Sequence, residues 1–177
     1  MRDEKQMIRR DFLGHAAATL GCGVAFAAQS QRVLGSNDRV RVALCGVRGR
    51  GKDHLHNYSK IKNVEIAAVC DIDDNVVRER LAQIDKMGLP KPATYTDVRK
   101  LLEDKSIHAV SIATPNHWHA LMAIWACQAG KDVYVEKPCS HNIWEGKQLV
   151  AAASKYNRIV QHGTQTRSDA AVRDAVQ

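Results

Sequence analysis

An α/β fold with a doubly wound parallel sheet, preceded by a signal segment, is what this sequence predicts, and three observations predict it. Short apolar runs, alternating or continuous, recur between longer stretches of helical spacing, the pattern of strands joined by crossover helices. The first run, Val40-Arg-Val-Ala-Leu-Cys45, leads into three glycines within six residues, Gly46, Gly49 and Gly51. The second, Val64-Glu-Ile-Ala-Ala-Val-Cys70, ends in an acidic residue, Asp71.

Each element has its own signal. Val40, Val42 and Leu44 alternate with Arg39, Arg41 and Ala43, the period of a strand. Helix is predicted from Lys52 to Lys60 behind the glycines. After Asp71, Asp73 caps a helix through Met87, which Gly88-Leu-Pro90 ends. Tyr95-Thr-Asp97 signals the start of a short helix carrying Val98, Leu101 and Leu102 on one face. Ile107-His-Ala-Val-Ser-Ile-Ala113 is apolar enough for a strand buried on both sides. It breaks at Thr114-Pro-Asn116, and a helix runs on to Ala129 with Gly130 as its stop. Asp132-Val-Tyr-Val135 is the next strand, followed by Glu136-Lys-Pro138. Asn142 caps a helix through Tyr156, and Ile159-Val-Gln161 is a last strand.

Right-handed crossovers put the C-terminal ends of parallel strands on one edge, where open α/β sheets bind their ligands. The unusual residues fall there: Gly46, Asp71, Thr114-Pro-Asn116, Glu136-Lys-Pro138 and Gln161-His162. A strand, a glycine turn and a helix start suit a pyrophosphate, since small residues let the backbone approach and free N–H groups face the anion. Asp71 stands about 20–25 residues further on, where a dinucleotide-binding domain places its ribose acceptor. In the pattern G-x-G-x-x-G, Gly46 and Gly51 hold the outer positions and Arg48 replaces the middle glycine. Two readings follow for Arg48: it points outward while Gly49 takes the unusual dihedrals, or it supplies a cation to the phosphates.

Composition narrows the class. The 177 residues suit one domain, and 45% hydrophobic with 25% charged residues is ordinary for a globular protein. The formal charge is +7, but the basic residues are scattered among acids and aromatics make up only 5%, so no nucleic-acid partner is expected. Cys22, Cys45, Cys70, Cys127 and Cys139 form no C-x-x-C pair. Cys45 and Cys70 end neighbouring strands and read as small core residues. His117 and His119, two apart on a helix, diverge, so no metal site is expected. Trp118, Leu121, Trp125 and Trp144 read as core.

The ends carry further signals. Residues 1–28 resemble a twin-arginine leader: Arg9-Arg10 precede Phe12-Leu13, an Ala- and Gly-rich tract follows, and Ala25-Phe-Ala27 offers a cleavage site. That implies the twin-arginine export machinery as a partner and a periplasmic location. Residues 29–37 read as a linker and 38–163 as the dinucleotide-binding domain of Rossmann type.

Gly46–Gly51, Asp71, Thr114-Pro-Asn-His-Trp-His119 and Glu136-Lys-Pro138 together resemble the glucose–fructose oxidoreductase / inositol dehydrogenase / rhizopine-catabolism (Gfo/Idh/MocA) family. Gly163-Thr-Gln-Thr-Arg-Ser168 is similar to a segment of its exported branch. The resemblance implies a nicotinamide cofactor, NAD in preference to NADP because Asp71 would repel a 2′-phosphate. It implies cofactor contacts from Gly46, Arg48, Gly49, Arg50, Gly51, Asp71, Thr114, Pro115, Asn116, His119, Glu136 and Lys137. Lys137 is the implied catalytic residue, orienting a sugar or polyol substrate and polarising its hydroxyl. Glu136 would bond ribose hydroxyls or hold Lys137. Family members carry a second α/β domain, so 164–177 reads as the start of a truncated C-terminal domain, through which a homo-oligomer would form. Three functions stay open: oxidation or reduction of a sugar or cyclitol hydroxyl, NAD-dependent glycoside hydrolysis, and a cofactor-binding remnant without activity.

Overall fold

The computed structural model describes residues 39–164 and 170–176. They fall in one compact unit, Asp38–Gln177. The leader and linker readings, at 1–28 and 29–37, lie outside the described residues, as does the segment Gln165–Ser168. No helix among the described residues is long and apolar enough to cross a membrane.

The chain alternates between strand and helix. β1 (Val40–Cys45), α1 (Arg50–Tyr58), β2 (Val64–Cys70) and α2 (Asp74–Lys86) come first. β3 (Ala93–Tyr95), α3 (Val98–Glu103) and β4 (Ala109–Ile112) follow, and then a 3-10 turn at Asn116–Trp118 that runs into α4 (His119–Gln128). β5 (Asp132–Val135), α5 (Ile143–Lys155), β6 (Val160–His162) and α6 (Ala170–Val176) complete the described chain. Six strands form one sheet in the order β3-β2-β1-β4-β5-β6, every pair parallel. The order reverses between β1 and β4, and a crevice opens at such a switch point.

Local signals set most boundaries. The Asp73 carboxylate accepts from Asn75 N–H at 2.9 Å to start α2, and Asp97 accepts from Arg99 N–H at 2.9 Å to start α3. At α5, Asn142 Oδ1 accepts from Glu145 N–H at 2.9 Å while Glu145 accepts from His141 N–H at 2.9 Å, a reciprocal cap. Gly88 (φ +66°) and Gly130 (φ +75°) supply left-handed residues just after α2 and α4.

Three expectations need correction. β3 has no counterpart in the sequence reading: its three residues are half-buried or exposed, lie on an edge, and carry no apolar run. α1 starts at Arg50, two residues earlier than predicted, because the glycine turn closes directly into the helix. Three of the four residues read as core are substantially exposed: Trp118 is 41%, Leu121 40% and Trp144 69% exposed. They lie on the 3-10 turn, α4 and α5, at positions left largely uncovered among the described residues.

Two apolar clusters fill the two faces of the sheet. One gathers Ala43, Cys45, Leu101, Ile107, Val110, Ile112, Ala123, Ala126 and Val135. The other gathers Val42, Leu44, Val47, Leu55, Val69, Val76 and Ile84. Alternate residues of β1 serve opposite faces, as the strand period requires. Cys45 and Cys70 are register partners, both buried with free thiols. The hydrogen bond with the neighbouring Cys70 thiol, and then burial, hold the Cys45 thiol well above its ordinary range. They are core residues, as expected.

Candidate functional site: a glycine turn and a buried carboxylate

The glycine turn follows β1. Gly46 has φ +78°, and a Cβ there would stand 2.7 Å from Thr114 N and 2.8 Å from Ala113 O, so the turn lies directly on the end of β4. A Cβ on Gly51 would fall 1.8 Å from Gly46 O, which lets the first turn of α1 close over the loop. Gly49 meets nothing within 4 Å and has φ −87°. The left-handed position is therefore Gly46 and not Gly49. The free amides at the start of α1 give the positive end of a helix dipole.

Asp71 braces this turn. Its Oδ2 accepts from Val47 N–H at 2.9 Å and its Oδ1 from Asp73 N–H at 3.1 Å. A carboxylate has about four acceptor sites, so two remain for a ligand. Arg48 is 73% exposed in its side chain and pairs with Asp73, the cap of α2. It thus points outward from the turn. Arg99, which the sequence reading missed, lines the same region but is held on Asp97, with Nη2 to Oδ2 at 2.6 Å. That guanidinium and the Arg99 amide lower the Asp97 carboxyl to about 2.

Between the end of β2 and the loop after β4 lies a cleft of about 470 Å³. Gly46, Asp71, Thr114, Pro115, Trp118 and Trp125 are among its lining. The two indoles lie with ring centroids 6.4 Å apart. Pro115, on its wall, and the adjoining Asn116 are exposed. His119, the first residue of α4, is 1% exposed, with Nδ1 2.6 Å from Pro138 O and Nε2 2.8 Å from Thr114 O. It stands between the loop after β4 and the loop after β5, with one ring nitrogen within hydrogen-bond distance of a carbonyl oxygen of each.

On the other side of the turn the interior is polar. Glu136, after β5, is 3% exposed, and its Oε1 accepts from His54 Nε2 at 2.9 Å and Arg50 Nε at 3.1 Å. Its Oε2 accepts from Lys137 N–H at 3.3 Å. Burial pushes this carboxyl up, but the bonds from His54, Arg50 and the Lys137 amide outweigh burial and hold it below its ordinary value. Lys137 itself is exposed at the sheet edge, and the Lys137–Pro138 bond is cis.

A parallel sheet in this order, with a glycine turn at its switch point and an acid ending the second strand, defines a dinucleotide-binding domain. The chain belongs to the Gfo/Idh/MocA family, described as an oxidoreductase family with an NAD-binding Rossmann fold, whose model matches residues 40–164. It is 39% identical over 127 residues to a glycosyl hydrolase family 109 protein of Shewanella pealeana, covering 70% of this chain and 28% of that one. An α-N-acetylgalactosaminidase of Shewanella oneidensis is 38% identical over 120 residues, 66% of this chain and 26% of that one. Among solved structures, myo-inositol 2-dehydrogenase from Lactobacillus plantarum aligns with a TM-score of 0.70 at 28% identity, covering 78% of this chain and 40% of that one. The chain thus spans about a quarter of the length of the curated relatives it matches.

Proposed function

We propose that this chain binds NAD across the glycine turn and serves hydride transfer at a sugar or cyclitol hydroxyl. The observation that carries the reading is the turn itself. Gly46 and Gly51 are packed so closely that a Cβ would strike backbone, whereas the position over Gly49 is open at the start of α1. The residues present therefore fit the cofactor. Gly46 to Gly51 would hold the pyrophosphate, Asp71 the adenosine ribose, and Trp118 with Trp125 the base. When bound, the nicotinamide supplies a two-electron hydride donor or acceptor.

This chain's own side chains do the rest. Thr114 and Pro115 form part of the wall of the cleft, and His119 lies between Thr114 and Pro138. Lys137 would orient the substrate hydroxyl and take or return its proton, as a compact ammonium on a flexible stem can. NAD is favoured over NADP because Asp71 would repel the 2′-phosphate and both nearby arginines are already paired, Arg48 with Asp73 and Arg99 with Asp97. Calorimetric titration of the 177-residue chain tests this: NADH binds, NADPH binds more weakly, and Gly46→Val binds neither. A folded wild-type chain that binds no nicotinamide nucleotide refutes the reading.

The relatives at 38% and 39% identity favour a second reading, NAD-dependent hydrolysis of a glycoside. Release of an aglycone from an aryl N-acetylgalactosaminide without net change in NADH would select it over a dehydrogenase. The leader at 1–28 adds a proposal about location: export through the twin-arginine machinery to the periplasm. Arg9→Lys with Arg10→Lys should then keep the protein in the cytoplasm, and periplasmic recovery of that variant overturns it.

A further inference from the structure

His54 belongs to no glycine motif, yet it sits at the centre of the buried polar chain. It is 4% exposed. Its Nδ1 lies 2.9 Å from Ser111 Oγ of β4, and its Nε2 lies 2.9 Å from Glu136 Oε1. The rings of Tyr134 and Tyr58 close around it edge-on, with centroids at 5.4 Å and 6.3 Å. A carboxylate only accepts, so Nε2 donates to Glu136, while Nδ1 is within hydrogen-bond distance of the Ser111 hydroxyl, which can donate or accept. Both hydrogen-bonding atoms of the imidazole are thereby fixed.

The two side chains on Glu136 Oε1 are not equivalent. Arg50 is 39% exposed in its side chain and divides itself between Glu136 and Asp53. His54 is enclosed and is anchored from behind by Ser111, itself 1% exposed. A buried, doubly bonded donor fixes a carboxylate far better than a half-solvated guanidinium that shares its donors. From Glu136 the chain of bonds passes on to the backbone N–H of Lys137. One connected path therefore runs from β4 through α1 to the residue expected to handle the proton.

We propose that His54 is a positioning residue: by holding the Glu136 carboxylate it sets how Lys137 is presented at the edge of the sheet. The proposal rests on the role given to Lys137 above. It also makes α1 serve both halves of the site. Its first turn closes the glycine loop, and His54, one turn further on, secures the lysine.

The test uses the 177-residue chain with His54→Leu, which keeps bulk and removes both bonds, and His54→Gln, which keeps a donor for Glu136. Amide exchange followed by NMR reads the result. The Lys137 amide should exchange about tenfold faster in the leucine variant, the value of one charge-assisted bond, and return to within about threefold of wild type in the glutamine variant. The Leu44 amide in β1 should keep its protection in both. Unchanged Lys137 exchange in the leucine variant overturns the proposal, and so does equal acceleration in both variants. If the leucine variant loses Leu44 protection as well, the nitrogen-15 histidine spectrum of the wild type decides. A slowly exchanging proton on His54 Nε2 supports the proposal, and its absence from Nε2 overturns it. Exchange needs no cofactor, so NADH titration of the same samples judges the nucleotide reading separately.

Discussion

The two halves of the binding edge are built by opposite means. On the β1–β2 side the site is made of absences: glycines without side chains and an open space over Gly49. On the β4–β5 side every gap is filled, and Ser111, His54, Glu136 and Arg50 bond one another in sequence. The difference teaches what each half can tolerate. A half built on close backbone contact fails when atoms are added. A half built on a polar chain fails when a link is removed, because the orphaned partner stays buried.

Adding atoms should give the largest effect. Gly51→Ala puts a methyl group 1.8 Å from a carbonyl oxygen, and a loss of more than about 4 kcal/mol, the exceptional end of single substitutions, is expected. Gly49→Ala, where a methyl group meets nothing within 4 Å, should shift stability by no more than about 0.5 kcal/mol. Denaturant unfolding of the pair breaks the comparison if the two costs are alike.

Removing a link comes next. Glu136→Gln should cost about 1.5–3 kcal/mol near neutral pH, the range for hydrogen bonds to a charged group. The sign of its pH dependence follows from the lowered carboxyl. The stabilisation is complete above the ordinary value of 4.5 and is lost as pH falls through the lower value in the folded chain. Thermal midpoints of wild type and variant should therefore converge below pH 4.5. A constant gap across that range removes Glu136 from the account.

Two smaller effects sharpen the contrast. Trp118→Ala, at a 41% exposed wall of the cleft, should weaken NADH binding about tenfold with little change in stability, the range for stacking of a base on an aromatic ring. Equal affinity would empty the cleft of its assigned role. Arg48→Gly removes only an exposed ion pair and should move the thermal midpoint by no more than about 2 °C while NADH affinity holds or improves. A large affinity loss would make Arg48 a phosphate ligand.

The same contrast governs what the sequence reveals. Gly46, Gly51 and Asp71 are legible because backbone proximity demands particular residue types at fixed spacing. Caps at Asp73, Asp97 and Asn142 are legible for the same local reason. The polar chain is not, since Ser111 sits inside an apolar run and His54 has the look of any helix residue. Only the packing of α1 against β4 and β5, 57 and 82 residues apart in sequence from His54, brings them together. β3 escaped notice because an edge strand of three residues needs no apolar pattern. Trp118, Leu121 and Trp144 misled because an apolar side chain in a helical stretch does not say whether anything covers it, whereas Trp125 does pack against the core.

His119 bears on how such sites diversify. With one ring nitrogen on the carbonyl of Thr114 and the other on that of Pro138, it makes the loops after β4 and β5 a single exchangeable cassette. A graft of the first loop from a relative, without the second, would strand one end of the imidazole against a carbonyl in the wrong place. Loop shuffling aimed at new substrates should therefore move both segments with the histidine between them, as one inherited piece.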